Sequence, residues 1–98
     1  MAEYLRYIEP IKLAKRENRL EDAIALCLKA IKSTEKESRA IKIGVAPWYY
    51  MQAAIVYRKM KEKDKEIEIL RRFLSQKQAP GGMPKEIKQR LAKLEGKL

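Results

Sequence analysis

The sequence predicts an all-α protein that folds as two antiparallel helix hairpins followed by a carboxyl-terminal capping helix, within a single domain. Apolar residues recur at spacings of three and four along five segments, the period of helices that each bury one face. The segment QAPGGMP, rich in Pro and Gly, separates the last of these segments from the others. Hydrophobic residues make up 46% of the 98 residues, which is enough for one core. No apolar run reaches the roughly 18 residues that a membrane span needs.

The first hairpin is predicted over about residues 3–34. Its first helix, over 3–16, has an apolar stripe formed by Tyr4, Tyr7, Ile8, Ile11 and Ala14. Pro10 lacks a backbone donor within this helix, which predicts either a kink or a late start. Asn18 is suited to the left-handed conformation that ends a helix. The gap that follows is short enough to require an antiparallel partner. The apolar stripe of this second helix, over 20–34, consists of Leu20, Ala23, Ile24, Cys27, Ala30 and Ile31.

The stretch over residues 35–46 allows two interpretations. Thr34 and Glu37 form a capping-box pattern for a short extra helix that Gly44 would end. The same residues also suit a loose connection that follows an extended second helix. Of these, we predict a loop connection over 35–46.

The second hairpin is predicted over about residues 47–76. Pro47 suits the first position of a helix, where its missing donor is harmless. Over 48–57 only Gln52 is polar, so this helix is expected to be covered on more than one side and to be central. The fourth helix, over 64–76, buries Ile67, Leu70, Phe73 and Leu74. A linker follows over 77–83, and Pro84 opens the capping helix over 84–98, whose apolar positions are Ile87, Leu91, Leu94 and Leu98.

Three consecutive aromatic residues, Trp48, Tyr49 and Tyr50, open the third helix. Such a group can serve as a stacking platform for nucleic-acid bases. Aromatic residues after a helix-opening proline more often belong to the core, which is the interpretation we favour. Tyr49 is expected to be the most exposed of the three. The single cysteine, Cys27, lies on an apolar stripe and is predicted to be a small buried hydrophobe.

The residue types that are missing argue against catalysis. The chain has no histidine and one cysteine, so it offers neither a histidine base nor a ligand set for a structural zinc ion. None of its four glycines forms a phosphate-binding loop. We therefore predict a protein that is not an enzyme and has no metal or other cofactor. The formal charge of +10 predicts faster encounters with anionic partners, and a well-solvated surface without such a role is the alternative.

The two hairpins align with each other at an offset of 43 residues. This offset pairs Cys27 with Leu70 in the second helices and Ile11 with Ala54 in the first helices. The sequences AAIVYRKMKEKDKEIEILRRFL and NRLEDAIALCLKAI resemble the tetratricopeptide repeat, a helix-turn-helix unit with small and aromatic residues at fixed positions. The offset exceeds the family's repeat of about 34 residues, which predicts an insertion in the connection. A five-helix bundle unrelated to this family is the alternative.

The resemblance implies that the first helix of each repeat lines a groove that holds a peptide. From the first repeat it implies groove positions at Leu5, Ile8, Lys12, Lys15 and Arg16. From the second it implies Trp48, Met51, Ile55, Arg58 and Lys59. The cations of both sets would form a clamp for carboxylates, as in family members that hold acidic carboxyl-terminal tails. Lys88 and Lys93, on the capping helix, are expected to lie outside this clamp.

The leading functional prediction is a protein-interaction module that binds an acidic or carboxyl-terminal peptide of a partner protein. Two repeats are fewer than the three that such folds usually need, so a homodimer is an additional expectation. A basic helical protein that binds nucleic acid is the alternative, and a subunit that is complete only in a complex is a third. We expect no membrane association. The acidic residues near the amino terminus do not suit a signal peptide, and we expect a cytoplasmic location.

Overall fold

The computed structural model describes residues 2–96, and this part of the chain is all-helical. A 3₁₀ turn over Glu3–Tyr7 leads into the first of five α-helices. The helices are α1 (Ile8–Arg16), α2 (Leu20–Ile41), α3 (Pro47–Lys59), α4 (Lys63–Leu74) and α5 (Gly82–Leu94). The predicted all-α class is thus confirmed. Leu98, predicted as the last apolar position of the capping helix, lies outside the described residues.

The amino-terminal helix starts late, as Pro10 predicted. The backbone forms a 3₁₀ turn up to Tyr7, and regular α-helix begins at Ile8. Pro10 therefore stands in the first turn of α1, where a backbone N–H has no partner inside the helix in any case. Ile11 and Ala14, which follow it, are fully buried.

The two hairpin turns share one hydrogen-bond pattern, displaced by 43 residues. Asn18 in the first turn has φ 58° and Lys61 in the second has φ 62°, both in the left-handed region. In the first turn, the Arg19 amide nitrogen lies 2.8 Å from the carbonyl oxygen five residues earlier. In the second turn, the Glu62 amide nitrogen lies 2.9 Å from the carbonyl oxygen five residues earlier. Both hairpins therefore close through the same three-residue turn, at the offset that the sequence alignment predicts.

The predicted loop over 35–46 is wrong for residues 35–41, because α2 continues to Ile41. Polar residues in this extension bond to parts of the chain that are distant in sequence. The Thr34 hydroxyl accepts a hydrogen bond from the Ala46 amide at 2.9 Å, and the Glu35 carboxylate accepts bonds from α3 and α4. With 22 residues against 12 in α4, the longer α2 supplies extra residues between the two hairpins.

The helices pack mainly against their neighbours along the chain. Helix α2 contacts both α1 and α3, α3 contacts α4, and α5 contacts α4 and α3. The core runs through all five helices, and in it the Tyr50 and Phe73 rings meet edge-on with centroids 5.1 Å apart. Burial raises the pKa of the Cys27 thiol to about 12, in agreement with its predicted place among the apolar residues. Ile87 and Leu91 attach α5 to this core as predicted, and both are buried.

The expected exposure of Tyr49 is wrong. Only 2% of this residue is exposed, since the amino-terminal 3₁₀ turn covers it. The Tyr49 hydroxyl donates to the Tyr4 carbonyl oxygen at 2.6 Å, and the two rings meet edge-on. Of the three aromatic residues only Trp48 remains partly exposed, and it too packs against the core.

The connection after α2 touches the linker before α5. The Val45 amide donates to the Lys77 carbonyl oxygen at 2.9 Å, and Val45 and Gln78 form an isolated parallel bridge. Gly44 lies against the same linker. A Cβ at this position would overlap the backbone nitrogen of Ala79 and stand 2.7 Å from the carbonyl carbon of Gln78.

We expect Gly44→Ala to lower the free energy of unfolding by about 1–3 kcal/mol, because backbone on both sides must move apart. Chemical denaturation measures the loss. Gly82→Ala is the matched control, since no atom lies within 4 Å of its added Cβ. It should be neutral or slightly stabilising in the first turn of α5. Equal effects of the two substitutions would contradict the close approach at Gly44.

Candidate anion-binding surface

Lys15 of α1 and Lys59 of α3 are close enough for their charges to interact. The Lys15 ammonium donates a hydrogen bond to the side-chain oxygen of Gln52 on α3. Partial burial lowers the pKa of Lys15, and the positive charge of Lys59 lowers it further. A bound carboxylate would relieve this repulsion between the two ammonium groups.

An apolar stripe on α3 runs beside these two cations. Trp48, Met51 and Ile55 are each half-buried, and they share one side of α3 with Gln52 and Lys59 through spacings of three and four. Trp48 and Met51 also pack against the core, which restricts their movement. We call these three residues with Gln52, Lys15 and Lys59 the α1–α3 surface.

Lys12 and Arg16, two of the predicted clamp cations, have other neighbours. Lys12 is exposed, and its ammonium is 3.9 Å from the Glu9 carboxylate one turn earlier. Arg16 lines a cleft between α1 and α2 together with Leu13 and Leu26. The expected convergence of all five cations is therefore wrong, because Arg16 lines this cleft and Arg58 lines clefts between α3 and α5.

Arg58 lies at a second basic region, between α3 and α5. Two clefts of about 450 and 390 Å³ share Arg58 in their linings. We call them together the α3–α5 clefts. The other lining residues are Lys61, Lys63, Glu66, Glu86, Gln89, Arg90, Lys93 and Leu94.

Positive charge is in excess in the α3–α5 clefts. Glu66 is only 2% exposed, and its carboxylate accepts a hydrogen bond from Arg90 Nε at 3.0 Å. Arg90 Nη2 lies 2.9 Å from the same carboxylate oxygen. The two opposite charges of this pair cancel, and the contact holds the Arg90 guanidinium in place. Within residues 2–96, no carboxylate lies within 4 Å of the charged atoms of Arg58, Lys61, Lys63 or Lys93. Glu86 is the remaining acidic residue of the lining.

The contribution of α5 to this region was not predicted from the sequence. Lys93, expected to lie outside the clamp, lines a cleft with Arg58, and Arg90 lines the same cleft one turn away. The spacing of these two cations on the polar face of α5 was visible in the sequence. Their proximity to Arg58 depends on how α5 packs against α3, and no local pattern encodes that packing. Lys88 is exposed and does not line either cleft.

The described part of the chain, residues 2–96, has no group of three or more His, Cys, Asp or Glu side chains arranged to hold a metal ion. None of its helices combines the length and the apolar character needed to cross a membrane. No protein-family model, curated protein or solved structure matches the chain.

Proposed function

We propose that the protein is a non-catalytic interaction module that binds an acidic segment of a partner protein. The observation that carries the proposal is the excess of cations in the α3–α5 clefts, where Arg58 and Lys93 have no carboxylate partner in residues 2–96. The α1–α3 surface adds a second pair of cations beside half-buried apolar side chains. The resemblance to tetratricopeptide repeats supports a peptide ligand, and a cytoplasmic location and self-association belong to the same proposal.

The lining of the α3–α5 clefts favours a peptide over a phosphate chain. Glu86 and Gln89 face the same space as the cations. A carboxylate only accepts hydrogen bonds, and so do the oxygens of a phosphodiester backbone, so Glu86 would repel a nucleic acid. A peptide brings backbone N–H donors for Glu86 and Gln89 and carboxylates for the cations. Among the described residues, none that lines these clefts is aromatic, so they offer no side chain on which a base would stack.

Neutralising two cleft cations should weaken binding of a capped hexaglutamate peptide. We expect Arg58→Gln with Lys93→Gln to raise the Kd about fivefold, since two partly exposed charge pairs are lost. The matched control is Lys85→Gln with Lys88→Gln, which removes the same net charge from the exposed side of α5. Fluorescence anisotropy of a labelled peptide measures both. Equal losses from the two double variants would show that binding depends on total charge, which contradicts a localised site.

The dependence on salt distinguishes the partner class. Binding to a DNA duplex would weaken by about 0.9 log units per phosphate contact for each decade of salt. Binding to an acidic peptide through a few carboxylates should fall much less steeply. Tighter binding of a duplex than of hexaglutamate, with a steep salt slope, would favour the nucleic-acid alternative. Lys15→Gln with Lys59→Gln tests the α1–α3 surface separately, because both residues lie outside the α3–α5 clefts.

A further inference from the structure

A cleft between α1 and α2 lies outside both basic regions and has a partly apolar lining. Its volume is about 500 Å³. Pro10, Leu13 and Leu26 provide the apolar part, and Leu13 is 43% exposed although it is a large hydrophobic residue. Glu9, Arg16 and Arg19 complete the lining. Covering Leu13 with another apolar group would therefore remove apolar surface from water.

Only one charge in this cleft is uncompensated within residues 2–96. Glu9 lies beside Lys12, with 3.9 Å between the charged atoms. Arg19 pairs at 2.8 Å with both Glu17 and Asp22. Arg16 has no carboxylate within 4 Å in the described part of the chain. The cleft thus offers a single cation next to an apolar floor.

The spacing of Leu13 and Arg16 selects the chemistry of the occupant. Residues three apart lie on the same side of a helix, with Cβ atoms about 5–6 Å apart. An occupant must therefore bring an aliphatic group and an anion close together on one side. In an extended peptide, neighbouring side chains point in opposite directions, and the nearest two on the same side are two residues, or about 7 Å, apart. In a carboxyl-terminal residue, the side chain and the carboxylate are attached to the same Cα.

We propose that the α1–α2 cleft binds the carboxyl-terminal residue of a partner protein, where that residue has a bulky aliphatic side chain. The aliphatic side chain of the partner's last residue covers Leu13 between Pro10 and Leu26. The terminal carboxylate of the partner accepts hydrogen bonds from the Arg16 guanidinium. This site is separate from the acidic-segment binding proposed above, because it shares no lining residue with the α3–α5 clefts.

N-acetyl-L-leucine and N-acetyl-L-leucinamide test the proposal, since they differ only in the carboxylate. The readout is the NMR signals of the leucine methyl groups during titration of the full chain. We expect saturable shifts at Leu13 and Leu26, and binding of the acid at least about threefold tighter than binding of the amide. Arg16→Gln should abolish this preference for the acid, whereas Arg39→Gln, at another exposed arginine, should leave it unchanged.

Leu13→Ser should weaken binding of both compounds, and Leu5→Ser is its matched control because Leu5 is 42% exposed against 43% for Leu13. Neither substitution removes a core residue, and a thermal melt of each variant verifies the fold. Three results would overturn the proposal: equal affinity for acid and amide, shifts at Leu5 as large as those at Leu13, or no saturable shift. Leu13 signals that change with protein concentration in the absence of ligand would also overturn it, since a second copy would then cover the cleft.

Discussion

Ala54→Arg should lower the free energy of unfolding by about 4 kcal/mol or more, because it forces a charged side chain into closely packed space. Ala54 is completely buried on α3, the helix that packs against α2 and α4. For a domain of this size each kcal/mol corresponds to about 4 °C in the Tm, so we expect a loss of about 15 °C. Thermal unfolding followed by circular dichroism measures the change.

The control for this prediction is Ala25→Arg. Ala25 is exposed on α2, so the same substitution there should change the free energy of unfolding by less than about 0.5 kcal/mol. If Ala54→Arg melted within a few degrees of the wild type, as Ala25→Arg should, the packing of α3 described here would be wrong.

Arg72→Leu should be the second most damaging substitution, with an expected loss of about 2–3 kcal/mol. Arg72 holds the Glu35 carboxylate with two hydrogen bonds, from Nε at 2.9 Å and from Nη2 at 2.8 Å. The Tyr50 hydroxyl donates a third bond to the same carboxylate at 2.7 Å. Glu35 is only 6% exposed, so removing the guanidinium leaves a buried charge without its counter-ion. Chemical denaturation near neutral pH measures the loss.

Arg71→Leu is the matched control, one residue earlier on α4. Arg71 also pairs with a carboxylate, that of Glu95, but its side chain is 64% exposed against 36% for Arg72. The Glu95 side chain is 13% exposed, but the Arg71 guanidinium is mostly solvated, which weakens the pair, so the loss should be clearly smaller. A loss from Arg71→Leu as large as that from Arg72→Leu would contradict the special role of the buried carboxylate.

The dependence of stability on pH gives an independent test of the same group. Burial raises the pKa of Glu35, but hydrogen bonds from Arg72 and Tyr50 outweigh burial and hold the pKa below its ordinary value. Because the pKa of Glu35 is lowered in the folded state, its ionised carboxylate stabilises the fold at pH values above the unfolded-state pKa of about 4.3. This contribution is lost as the pH falls through the folded-state pKa. The destabilisation by Arg72→Leu should therefore shrink on acidification. A loss that stays constant down to low pH would contradict this assignment.

Much of the helical architecture follows from the sequence alone. The spacing of Ile11, Ala14, Cys27 and Ala54 on apolar stripes predicts burial, and the structure buries all four. Asn18 marks the end of α1, and the 43-residue offset between the hairpins reappears in the hydrogen bonds of the two turns. These features depend on residues within a few positions of one another, since helical period and left-handed turn residues act over one or two turns.

The length of α2 and the position of the basic groups were determined by the tertiary structure. Residues 35–41 contain mostly polar side chains, and the helix persists there with Glu35 bonded to Arg72, 37 residues away. Arg58 faces Lys93 because α5 packs against α3, although the sequence analysis assigned the two residues to different surfaces. The sequence by itself thus determined most of the helices and apolar stripes, but not the helical state of residues 35–41 or the burial of Tyr49. The packing of the helices decided which distant polar groups meet, because a charge finds its partner only once both helices are in place.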